Sequence, residues 1–311
     1  MHRTSRLLCI SVLAILSLGA ASGLRAQGVT PSTDKRPALP FPPGIVPETI
    51  CGETTDFQDV ELYDGTLGVP KNYVKAYEPT TVQLQWVSDA TIAKKLPGYS
   101  PGNVGGERWC TGTLIGADLV LTAGHCFDVQ DESATGWISP FKLGPDLKPM
   151  PAPSAELAKL QVVNFGYQVN AKTGAIRKPT VYPVVALLEH RRGDLDYAIV
   201  RIGPGSDGKL PSAKIPAAAV STSAPVLNEL IAVLQHPQGK PKKVEAGHVL
   251  KVDSSEVFYD DIDTLGGSSG SGVRDKDGKV IGVHTNGGCT TEGGANRAVT
   301  TAAIAQVSDF I

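Results

Sequence analysis

The stretch Leu121-Thr122-Ala123-Gly124-His125-Cys126 decides how the rest of the chain is read: an apolar run closes on small residues that present a histidine. Working outward, Cys110-Thr111-Gly112-Thr113-Leu114-Ile115 precedes it and Asp194-Leu195-Asp196-Tyr197-Ala198-Ile199-Val200 follows. Asp263-Thr264-Leu265-Gly266-Gly267-Ser268-Ser269-Gly270-Ser271-Gly272 comes last. Together these segments supply His, Asp and Ser in that order. A serine hydroxyl is a poor nucleophile at neutral pH and needs an adjacent base. Histidine suits the task because it titrates near neutrality, and a buried carboxylate fixes its tautomer and steadies the imidazolium. The glycines around Ser269 have their own reason: the N–H groups of Gly267 and Ser269 converge on a developing oxyanion only in a tight turn free of side chains. A Gly-x-Ser-Gly string alone is common, but all three segments in this order form a specific signal.

Around these segments the chain reads as short apolar runs bounded by Gly, Pro, Asn or Asp, the pattern of an all-β barrel or sandwich. Val82-Gln83-Leu84-Gln85-Trp86 alternates cleanly and Ile115–Thr122 more loosely. Val181–Leu187, Tyr197–Ile202, Leu230–Leu234, Val244–Val252 and Lys279–Thr285 are further strand candidates. Gly144–Pro153 interrupts the series as a Pro-rich surface insertion, and Ala302–Ile311 carries helical spacing at Ile304, Val307 and Ile311. The 34 glycines and 23 prolines of the 311 residues agree with many turns and few long helices.

Composition excludes several classes. Hydrophobic residues at 41% and charged residues at 19% describe a globular chain, and a formal charge of −2 gives no footprint for nucleic acid. Arg3 and Arg6 precede the apolar run Leu7–Ala21, and small residues follow it, so residues 1–26 read as a signal peptide and a secreted or periplasmic product is expected. No other apolar run approaches membrane length, so no membrane association is expected after signal removal. Residues 27–50 read as a Pro-rich linker or pro-segment. Four cysteines remain beyond the signal, Cys51, Cys110, Cys126 and Cys289, an even number that reads as two disulfides with three possible connectivities. No C-x2-C spacing for structural zinc occurs, and neither metal nor organic cofactor is expected.

The three catalytic-type segments resemble those of trypsin-like serine endopeptidases of the chymotrypsin fold, with greatest similarity to the bacterial glutamyl endopeptidase (V8-like) branch. The resemblance runs from about Cys51 to Ile311. It implies two antiparallel six-stranded β-barrels, about 75–203 and 204–300, and a short C-terminal helix over 301–311. It also implies polypeptide substrates, and a monomer is expected. His125 resembles the general base, Asp196 its orienting carboxylate and Ser269 the nucleophile, with Gly267 and Ser269 amides as the oxyanion hole. Asp196 is preferred to Asp194 because the family places its Asp directly before an apolar strand. Leu234-Gln235-His236-Pro237-Gln238-Gly239 resembles the family's His-Pro-x-Gly stretch. A Cys110–Cys126 disulfide is implied, leaving Cys51 and Cys289 to pair by exclusion. Two departures stand out. Ser268 precedes the nucleophile where trypsin-type zymogens have an Asp, which argues against activation through that ion pair, and Gly272 stands where Pro is usual.

For specificity, Thr264 and His284 match the Thr and His that contact an acidic P1 side chain in the glutamyl branch; a hydroxyl and an imidazolium are suitable partners for a carboxylate. Asp263, however, stands where trypsin-like enzymes hold Lys or Arg. The reading is therefore a secreted serine endopeptidase cutting after Glu or Asp. The alternatives are Lys/Arg specificity through Asp263, or a silent binding protein on the same fold. His190, His236 and His248 read as surface or structural groups, and Lys240, Lys242 and Lys243 as a solvated loop cluster.

Overall fold

The computed structural model describes residues 49–128 and 137–311; the signal segment 1–26 and all but the last two residues of segment 27–50 lie outside them. Six strands close a barrel in the order Thr81–Trp86, Arg108–Leu114, Leu119–Thr122, Tyr197–Ile202, Thr180–Arg191 and Gln161–Phe165. A two-residue β1 (Gln58–Asp59) comes first in the chain, before β2 (Thr81–Trp86), β3 (Arg108–Leu114) and β4 (Leu119–Thr122). A hairpin of β5 (Phe141–Leu143) and β6 (Pro149–Pro151) precedes β7 (Gln161–Phe165), β8 (Thr180–Arg191) and β9 (Tyr197–Ile202). The alternation of β2 places Val82, Leu84 and Trp86 in the barrel core. Its polar positions are covered too: the Asn164 amide on β7 donates to Gln83 Oε1 at 2.7 Å and to Gln85 Oε1 at 2.9 Å. Each fully buried aliphatic side chain here contributes roughly 1.5–3 kcal/mol.

The second half is built from β10 (Leu230–Gln235), β11 (Lys243–His248), β12 (Lys251–Val252), β13 (Glu256–Tyr259), β14 (Gly272–Arg274), β15 (Val280–Asn286) and β16 (Asn296–Thr300). Here the structure corrects the sequence reading. Instead of a second six-stranded closed cylinder, the strands form an eight-stranded sheet in the order β1-β11-β10-β14-β15-β16-β13-β12. The physical reason lies in the chain between β11 and β12. Lys243–His248 pairs with β10, the strand then bends at Val249–Leu250, and Lys251–Val252 pairs with β13. One bent stretch of chain thus serves two different ladders, and the sheet keeps β1 and β12 as its ends. Its core is Ile231, Val233, Val257, Tyr259, Val273 and Ile281, with neighbours.

Helices α1 (Lys71–Tyr77), α2 (Asp89–Lys95) and α3 (Ser154–Lys159) lie between strands, and none was legible in the sequence. The C-terminal helix expected over 301–311 is a single turn, α4 (Thr301–Ile304), whose Ala303 N–H donates to the Thr300 hydroxyl. Val307 and Phe310 lie at the surface, so the apolar face that would extend it is not buried. The stretch 144–153 is largely exposed. Disulfides join Cys110 to Cys126 and Cys51 to Cys289.

One further expectation changes. Lys242 is fully buried rather than solvated, its ammonium 2.7 Å from both the Glu78 carboxylate and the Glu78 carbonyl. His236 is also buried, 3.0 Å from the Lys240 carbonyl through Nδ1, and burial holds it neutral with its pKa lowered to about 3. Of the two readings its sequence allowed, surface or structural, it is the structural one. His248 is exposed, and His190 Nε2 lies 3.0 Å from the Gly124 carbonyl.

Candidate active site

His125 sits on the 3-10 turn Gly124–Phe127 directly after β4, where the Cys110–Cys126 disulfide ties the turn to β3. A side chain at Gly124 would collide with the Arg191 carbonyl and approach Asp196 Oδ1 to 2.8 Å, so only glycine lets the carboxylate come this close. Asp196 stands just before β9. Its Oδ1 accepts the His125 backbone N–H at 2.9 Å, and its Oδ2 lies 2.7 Å from His125 Nδ1. On the other ring edge, His125 Nε2 lies 2.6 Å from Ser269 Oγ. All three residues are buried, at 2–4% exposure.

Burial alone would raise the Asp196 carboxyl, but the adjoining His125 and Arg192 groups outweigh it and hold the pKa below the usual carboxylate range. An ionised carboxylate only accepts, so Nδ1 carries the ring proton and Nε2 presents its lone pair to the serine hydroxyl. Asp194 is exposed in the preceding turn. Sequence reasoning named all three partners but missed a fourth group: Arg192 Nη1 lies 2.7 Å from Asp196 Oδ1. Its signal, an arginine four residues before the Asp, has no helical spacing to give it meaning here.

The Ser269 loop is held from several sides. The Ser268 N–H donates to the Leu265 carbonyl at 2.8 Å and the Gly270 N–H to the His284 carbonyl at 2.7 Å. From the first barrel, the Thr111 N–H reaches the Ser269 carbonyl at 2.8 Å and the Thr111 hydroxyl reaches the Gly267 carbonyl at 2.7 Å. Gly267 has φ 104°, and a Cβ there would fall 2.7 Å from the His236 carbonyl, so both conformation and space demand glycine. The Gly266 carbonyl accepts from the Gln238 N–H. Because a trans peptide points its C=O and N–H in opposite directions, this contact turns the Gly267 N–H away from the Pro237–Gly239 turn.

Thr264 and His284 are fully buried beside this loop. The Thr264 hydroxyl has no protein partner among the described residues, and His284 Nδ1 lies 2.5 Å from the Tyr259 hydroxyl. Asp263 points elsewhere. Its Oδ1 accepts the Cys51 N–H at 2.6 Å, and its carboxylate shares a cluster with Asp56 and Glu245, oxygens lying within 4.8 Å of one another. Burial and the neighbouring Asp56 push Glu245 up to about 11, so it is a neutral acid at physiological pH. The Cys110 and Cys126 sulfurs near His125 are bonded to each other and offer no thiolate to a metal.

Over 202 residues the chain is 27% identical to the uncharacterized protein y4fB of Sinorhizobium fredii, an alignment covering 60% of this chain and 26% of that protein. Over 99 residues it is 32% identical to the glutamyl endopeptidase of Staphylococcus epidermidis, covering 30% of this chain and 35% of that protein. The chain thus spans about a quarter to a third of the length of these relatives. A solved structure described as Glu endopeptidase in complex with MPD aligns at 19% identity and a TM-score of 0.46, over 83% of this chain and 96% of that one. Among the described residues, no helix is long and apolar enough to cross a membrane. Residues 110–283, more than half of the chain and the span that holds His125, Asp196 and Ser269, match the trypsin-like peptidase domain. The chain belongs to the trypsin-like peptidase domain family.

Proposed function

We propose that the protein is an exported serine endopeptidase that hydrolyses peptide bonds after Glu or Asp. The observation that carries this reading is the pair of contacts at His125, 2.7 Å to Asp196 and 2.6 Å to Ser269. Ser269 Oγ attacks the scissile carbonyl as its proton passes to His125 Nε2, and Asp196 steadies the resulting imidazolium. The N–H groups of Gly267 and Ser269 hold the oxyanion, an orientation supported by the Gly266–Gln238 contact. His125 then returns the proton to the leaving amine, and water attacks the acyl-enzyme by the reverse path.

Acidic specificity is supported by the buried Thr264 hydroxyl, which lacks a protein partner among the described residues, and by the engagement of Asp263 with Cys51. A carboxylate oxygen already committed to a backbone amide is less free to receive Lys or Arg. Export is supported by the two disulfides. Residues 27–50 are read as a linker or pro-segment, and the peptidase unit as 51–311.

The test is digestion of a complex peptide mixture, with Ser269→Ala as blank and each cut mapped by mass spectrometry. Cuts after Glu or Asp support the reading. Cuts after Lys or Arg overturn the specificity and return Asp263 to the pocket, and no cuts above the blank favour a binding protein that keeps the residues unused.

A further inference from the structure

Asp196 serves two side-chain partners. On one side lies His125 Nδ1, and on the other Arg192 Nη1, each at 2.7 Å. The same guanidinium continues to Asp128, its Nε 2.5 Å from Asp128 Oδ2, so it bridges the carboxylate that follows the His125 turn and the one that orients His125. Gly193, at φ 84°, lets the chain reverse directly after Arg192, and this is how residues four apart meet outside a helix. The Arg192 side chain is 33% exposed and that of Asp196 is 5% exposed, so the guanidinium covers the solvent-facing side of the carboxylate.

We infer that Arg192 is a positioning residue: it clamps Asp196 in the orientation that holds His125, and it sets the pH below which the site loses activity. The inference rests on the reading of Ser269 as nucleophile served by His125. A carboxylate facing a single imidazole gives its whole charge to the imidazolium, whereas one shared with a guanidinium gives less, because the two cations repel through the same low-dielectric space. Other charged groups around the clamp are placed so that they do not replace it. His190 Nε2 stands 3.5 Å from Asp128, and Arg191 turns away to the Val307 carbonyl. Glu189 is occupied by the Tyr197 hydroxyl and the Asp309 N–H, and Asp194 is exposed. Without Arg192, the Asp196 carboxylate gives its whole charge to the His125 imidazole, which takes up its proton at higher pH.

The test is the pH profile of kcat/KM on one peptide substrate for the wild type, Arg192→Gln and Arg192→Lys, with Ser269→Ala as blank. In Arg192→Gln the acidic limb should move up by on the order of one pH unit, with plateau kcat lower by about tenfold from lost orientation. Arg192→Lys should keep the limb near the wild-type position. A limb that stays in place while kcat falls, or a Lys variant that shifts as far as Gln, overturns the inference and leaves Arg192 a structural residue. The proton between His125 Nδ1 and Asp196, followed by NMR in the same three proteins, gives the titration without turnover. If the wild type shows no Ser269-dependent cleavage, the nucleophile reading fails, and the NMR midpoints still decide the Arg192 question: an upward shift in Arg192→Gln supports it and an unmoved midpoint overturns it.

Discussion

The Thr111 hydroxyl on β3 donates to the Gly267 carbonyl at 2.7 Å and accepts the His236 N–H at 3.0 Å, so one first-barrel side chain braces both strands of backbone that shape the Ser269 loop. Thr111→Val removes the hydroxyl and leaves two buried backbone groups unpaired, each worth about 1–3 kcal/mol. Chemical denaturation should show a loss of about 2–6 kcal/mol for the two together, and kcat should fall about 10- to 100-fold with KM little changed. Thr111→Ser should restore most of both. A valine variant with wild-type kcat would separate Thr111 from the oxyanion geometry.

Ser269→Ala should lower kcat by on the order of 10⁶ while the protein still unfolds cooperatively. Asp196→Asn should cost about 10⁴ by presenting the wrong imidazole tautomer to the serine. Asp194, exposed and outside the His125 contacts, should tolerate Asn with a change of no more than a few-fold. If Asp194→Asn proves the more damaging of the two, the carboxylate assignment is wrong.

Specificity divides the pocket residues. Thr264→Val should reduce kcat/KM for a Glu substrate by about 10- to 100-fold, the loss of one hydrogen bond to a charged group, and leave an uncharged P1 substrate nearly unaffected. Asp263→Asn should keep the preference for Glu, since its carboxylate serves Cys51. A switch away from Lys or Arg in that variant would instead show Asp263 reading the substrate.

Glu245 gives a pH-dependent prediction with a definite sign. Its folded-state pKa is raised to about 11, while the unfolded chain ionises near the ordinary value of 4.5. Between those values the folded state holds the extra proton, so this group's stability is fully present below about pH 4.5 and is lost as pH rises, by about 1.4 kcal/mol per unit at the limiting slope. His236 works in the opposite sense over a narrower window: lowered to about 3, it makes the fold less stable as pH falls below 6.5. Glu245→Gln keeps an acceptor for the Asp263 N–H and removes the ionisation. It should therefore stabilise the protein at pH 8 more than at pH 5, and equal gains at both would place the proton elsewhere.

What the sequence disclosed followed from local chemistry. The Ala-Gly-His-Cys turn, the Asp before Tyr197-Ala198-Ile199-Val200 and the glycines around Ser269 each announce themselves, because backbone conformation and neighbouring residues set their roles. Strands with strict alternation, such as Thr81–Trp86, were legible for the same reason. Residues whose roles come from distant partners stayed hidden. Lys242 looked solvated because Glu78, the acid that permits its burial, is 164 positions away. Thr111 and Gly267 are 156 apart, and nothing in an ordinary threonine marks it as a brace. Arg192 has its partners at Asp128 and Asp196, but only the fold brings that loop across them. The bend at Val249–Leu250 was read as one strand because period-two patterning is blind to a change of ladder partner.

That bend also governs what the second half presents to other molecules. The eight-stranded sheet ends on β1 and β12, and each is two residues long. Both outer strands carry charge: Asp59 pairs with Lys243 at 2.9 Å, and Lys251 with Asp253 at 3.2 Å. A long apolar margin with unpaired N–H and C=O groups recruits strands from neighbouring chains and starts aggregation; short, charged margins give such recruitment little to template on. By folding one continuous strand around the corner, the chain turns what would have been two extended seams into a surface poorly suited to sheet-to-sheet polymerisation.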